Sequence, residues 1–111
     1  MKKFLVLYKA PAASFAQMMK ATPEQQQAGM QAWMSWGQKA SASIVDMGGP
    51  LGKSLLVTPS EAKPASNEYG GYSILQAESK EALAQTLNGH PHFMTPDGSI
   101  EIVEVMPIPG Q

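Results

Sequence analysis

The chain has 111 residues, 43% of them apolar, a formal net charge of −1 and no cysteine. That length suits one domain spanning 1–111, able to bury roughly two-thirds of the surface its unfolded form exposes. The absence of cysteine excludes disulfides, thiolate metal sites and cysteine nucleophiles. The eight basic residues are scattered, with Lys2 and Lys3 the only adjacent pair, so no nucleic-acid-binding stripe is expected.

Met1-Lys2-Lys3 followed by Phe4–Tyr8 has the outline of a signal peptide, but its apolar run falls short of the roughly 7–15 residues of an h-region. Lys9 and Pro11 then interrupt it, and Phe4–Tyr8 reads as a first strand covered on both faces. No stretch approaches the roughly 20 apolar residues of a membrane span, so a cytoplasmic chain with no membrane partner is expected.

Pro11–Ala21 carries Phe15, Met18 and Met19 among small residues. It reads as one or two helical turns or a loop capping the core or, because Met adapts to varied apolar surfaces, as a mobile lid. Thr22-Pro23-Glu24-Gln25 opens the main helix, with Thr22 as N-cap, Pro23 at N1 and Gln25 completing a capping box. From Pro23 to about Ala40, steps of about 100° put Met30, Trp33, Met34, Trp36, Gly37 and Ala40 on one arc.

Ser41–Lys53 reads as a long connection, Ser54–Thr58 as the second strand and Ser60–Glu68 as a turn or hairpin loop. Tyr72–Ala77 follows as the third strand. Ser79 caps a helix over Lys80–Asn88, which ends at Gly89, and Ile100–Met106 is the last strand. The order β-α-β-β-α-β predicts an α+β, ferredoxin-like protomer with both helices on one sheet face. In the last strand Ile100 and Ile102 share one face and Val103 and Val105 the other, so the uncovered face is also apolar. Pairing two such faces in a homodimer would cover it.

Gly48–Ser54 contains Gly-Lys-Ser, the end of a phosphate-binding loop, but Met47 stands where that pattern needs glycine, and a strand follows instead of a helix. His90 and His92 are the only histidines, just beyond a helix C-terminus, a place that favours the imidazolium and predicts a raised pKa. Three readings stay open: one ring satisfying helix carbonyls with the other solvated, an acid–base site completed by Asp46 or Asp97, and a divalent metal site. Tyr8, Trp33 and Tyr72 are core or interface aromatics unless sheet and helix part to leave a cleft they would line.

In these stretches the chain resembles the YCII-related domain family, a branch of the dimeric α+β barrel superfamily. The matching residues are Met1–Tyr8, Ala28–Met34, Asp46–Gly52, Gly71–Ile74, Gly89–His92, and Gly98 through Pro107, in order along nearly the whole chain. The resemblance implies protomers paired sheet to sheet with a small-molecule pocket in each. It departs at the family's His–Asp pair: no His lies within Gln25–Trp36, and His90 stands where the family has Asp before Pro. The expectation is a pocket bordered by the Gly48–Gly52 turn, with Gly49 and Pro50 contacting ligand, by the His90–His92 loop and by the long helix. His90 would move a proton, Asp46 or Asp97 would orient it, and Tyr8, Trp33, Tyr72 and His92 would contact ligand. No metal or cofactor is expected. The alternative is a non-catalytic ligand-binding or protein-interaction module.

Overall fold

The computed structural model describes residues 1–109; the last two residues of the expected 1–111 domain lie outside them. Strands β1 (Lys2–Lys9), β2 (Ile44–Pro50), β5 (Tyr69–Ala77) and β6 (Ser99–Glu104) form one antiparallel sheet in the order β2-β5-β1-β6. Helix α2 (Pro23–Lys39) connects β1 to β2, and α3 (Lys80–Thr86) connects β5 to β6. With β5 lying between β1 and β2, this is the split β-α-β arrangement. A separate hairpin, β3 (Ser54–Val57) with β4 (Ala62–Ala65), is inserted between β2 and β5. No helix among the described residues is long and apolar enough to cross a membrane.

Period-two alternation decides which side chains meet the helices. Phe4, Val6 and Tyr8 from β1, with Leu75 and Ala77 from β5, are buried against Trp36 of α2, Ala40 just beyond its end, and Leu83 and Leu87 around α3. Burying a side chain of the size of Phe4 or Leu75 stabilises the fold by roughly 2 kcal/mol. Ile100 and Ile102 pair in register with Tyr8 and Val6 and pack on this core. Leu5, Leu7, Ile74 and Val103 therefore lie on the opposite face, which no helix covers.

The capping box at the start of α2 forms in full: the Gln25 backbone N–H donates to the Thr22 hydroxyl oxygen, and the Thr22 backbone N–H donates to the Gln25 side-chain carbonyl. The buried arc of α2 is narrower than its periodicity implies. Trp36 and Ala40 are buried, whereas Met30 and Met34 are exposed.

The second strand of the sheet is Ile44–Pro50, not Ser54–Thr58. The apolar Leu55, Leu56 and Val57 sit in the hairpin with their side chains exposed. Ile44–Pro50 has Asp46, two glycines and a proline, yet works as an edge strand, where bulges and a terminal proline are tolerated. Its pairing with β5 is indeed irregular on both sides of Asp46.

Within residues 11–21 the helical reading holds over the loop: Ala12–Met18 forms a short helix, α1.

Candidate functional site

The cavity beside this core has a volume of about 940 Å³. Its walls come from the first half of α2, the end of β2 with the start of β5, α1, and the short 3₁₀ turn Pro91–Met94. Tyr8, Trp33, Gly49, Pro50, Tyr72 and His92 all line it; His90, Asp46 and Asp97 do not. The lining includes one ammonium, that of Lys20, and no carboxylate.

Helix α1 roofs the cavity and is pinned. The Ser14 hydroxyl donates to the Pro96 carbonyl oxygen at 2.7 Å, and the Thr95 hydroxyl to the Met18 sulfur at 3.3 Å. The Phe15 ring lies against Gly70, where a Cβ would collide with it. On the β2 side, Gly48 has φ +71°, and a side chain there would run into the Tyr72 carbonyl. The Asp46 carboxylate accepts the Gly48 N–H at 2.8 Å, so this carboxylate shapes the bulge.

Two polar chains stiffen the interior. Tyr8 donates its hydroxyl proton to the Ser73 oxygen at 2.9 Å, and Ser73 donates to the Met47 carbonyl at 2.7 Å. Burial raises the Tyr8 pKa, an effect the Ser73 bond only partly offsets, so Tyr8 stays a phenol at neutral pH. The second chain runs through the histidines. The His92 backbone N–H donates to His90 Nδ1 at 2.9 Å, and His92 Nε2 lies 2.8 Å from the Lys9 carbonyl oxygen.

These bonds fix the tautomers. A carbonyl only accepts, so His92 Nε2 carries the proton it donates, and Nδ1 has no hydrogen-bond partner among the described residues. His90 uses Nδ1 as an acceptor, so its proton sits on Nε2. That atom is buried without a partner, as is Trp36 Nε1.

His90 is 1% exposed and boxed by aromatic rings, stacked on Tyr8 at 5.0 Å and edge-on to Trp33 and Trp36 at 4.5 and 4.4 Å. Its pKa is lowered to about 4, chiefly by burial and secondarily by the neighbouring His92. The raised pKa expected from the helix C-terminus is therefore overturned: desolvation of the imidazolium outweighs the helix field. Neither Asp46 nor Asp97 orients His90. Asp46 is committed to Gly48, and Asp97 is exposed in the turn before β6, with φ 57°.

Among the cavity residues, Met47 and Met94 carry no sequence signal of their own, whereas Gly29 does, since glycine inside a helix needs a reason.

No family model matches the chain, and no curated protein matches it. Its resemblance to YCII-related proteins thus rests on the motifs quoted above. Among solved structures, it is similar to the 5-chloro-2-hydroxyhydroquinone dehydrochlorinase TftG of Burkholderia phenoliruptrix AC1100, in complex with 2,5-dihydroxybenzoquinone. The identity is 15% over 91% of each chain, with a TM-score of 0.47. A likeness of that size assigns neither a substrate nor a residue role.

Proposed function

We propose that the cavity binds a small, ring-shaped, weakly acidic organic molecule, whose hydroxyl donates a hydrogen bond to His92 Nδ1. The observation that carries this reading is the His92 ring. One nitrogen is anchored on the Lys9 carbonyl, and the other is an unpartnered acceptor on a residue that lines the cavity. Tyr8, Trp33 and Phe15 supply apolar area and aromatic faces that favour a ring. The Lys20 ammonium, with no carboxylate in the lining, biases the site towards neutral or anionic ligands.

Binding is favoured over turnover. The carboxylate partner that would strengthen a histidine base is absent from the cavity wall, and His90, neutral and enclosed, supports the wall as a packed ring.

Calorimetric titration with 4-nitrophenol tests the proposal. Losing one neutral hydrogen bond predicts that His92→Ala weakens binding about fivefold. Equal affinity for wild type and variant would remove His92 from the site, and no binding by the wild type would contradict the reading as a whole.

The protein also pairs as a homodimer through the uncovered sheet face, in the manner the dimeric α+β barrel resemblance implies. Leu5, Leu7, Ile74 and Val103 form the apolar centre of that face, and the Lys9–Glu101 ion pair, at 3.0 Å, rims it. Tyr8 and Trp33 of the cavity wall lie on the core side of the sheet, so each subunit would keep its own site.

A further inference from the structure

The cavity has glycines in two of its walls that the protein's own packing does not explain. Gly29 lies inside α2 as its seventh residue, where glycine weakens a helix relative to alanine. An ideal Cβ built on Gly29 meets no atom within 4 Å, and the residue has no positive φ. Gly49 of β2 is alike: it lines the cavity, and its Cβ would meet nothing within 4 Å. The other glycines of the lining have internal reasons. Gly48 combines a positive φ with the Tyr72 carbonyl, Gly70 receives the Phe15 ring, and Gly71 lies close to the Gly49 carbonyl. What the missing side chains at 29 and 49 leave is space inside the cavity, on the helix wall and on the strand wall.

We infer that Gly29 and Gly49 set the size of the ligand, keeping the helix wall and the strand wall open for a ring system larger than a single benzene ring. This rests on the cavity being a ligand site and adds the dimension of what it takes. A bare helix wall lets a flat ring approach the backbone of α2, and Trp33, one turn further along the same helix, supplies an aromatic face beside it. Each side chain added at these positions would occupy volume that the ligand otherwise fills.

The experiment compares 2-naphthol, a fused two-ring probe, with 4-nitrophenol on wild type, Gly29→Ala, Gly29→Leu and Gly49→Leu. Gly29→Ala should raise Tm by about 3 °C, because the helix gains and nothing is displaced. The same variant should weaken 2-naphthol about threefold. Gly29→Leu and Gly49→Leu should weaken 2-naphthol at least about tenfold and 4-nitrophenol much less. Circular dichroism and Tm establish that each variant is folded, and the alanine variant, expected to be the more stable protein, separates lost space from lost structure. Should the wild type bind both probes and the leucine variants bind 2-naphthol equally well, the size role is overturned while the ligand site stands. Should the wild type bind neither probe, both fall together.

Discussion

His90 and His92 stand two positions apart and do different work because of what surrounds each ring. His90 is enclosed by Tyr8, Trp33 and Trp36, and its pKa falls to about 4. An unfolded chain would titrate this group near 6.5, so between about pH 6.5 and 4 the unfolded state binds the extra proton. Stability is then fully present above that window and falls as the pH drops through it, by on the order of 3 kcal/mol. Urea unfolding at pH 7.5 and 4.5 measures this, and His90→Phe, which keeps a ring but cannot titrate, should flatten the difference. An unchanged slope in that variant would show that another group carries the acid sensitivity. Sequence could nominate both histidines, since they are the only two, but not rank them. The helix C-terminus argued for a raised pKa, and burial among aromatic rings, visible only in three dimensions, reversed the sign.

Elements whose signals are local were legible in the sequence. Thr22 and Gln25 mark the start of α2 because the capping box needs only four consecutive residues. The uninterrupted apolar run Phe4–Tyr8 marks the central strand, and Ser79 with Gly89 brackets the second crossover helix; Gly89 indeed has a positive φ. The second strand was not legible, because Leu55-Leu56-Val57 is the stronger apolar run while Ile44–Pro50 owes its place to pairing with β5. Its bulges and the close approach of Gly48 to Tyr72 are long-range consequences of that pairing. Helix α1 shows the same limit. Its residues suggested a lid, and its bonds to Pro96 and Thr95 make it a fastened roof.

At the scale of the whole molecule, the sheet has two faces with separate uses. One buries the core and walls the cavity, and the other presents Leu5, Leu7, Ile74 and Val103 without a covering helix. Contiguous apolar surface of this kind favours association. Light scattering at micromolar concentration should give twice the monomer mass, and Leu5→Glu, which puts a charge on the outer face and leaves the core side untouched, should give the monomer. A wild-type monomer would remove the dimer. The central claim, that the cavity holds a ligand on His92 Nδ1, is tested most directly by long-range proton–nitrogen NMR of the two imidazoles during titration with 4-nitrophenol. Both rings should begin as Nε2–H tautomers, and His92 Nδ1 should then shift with saturation while His90 moves far less. A His92 Nδ1 signal that stays fixed as the probe saturates the protein would contradict it.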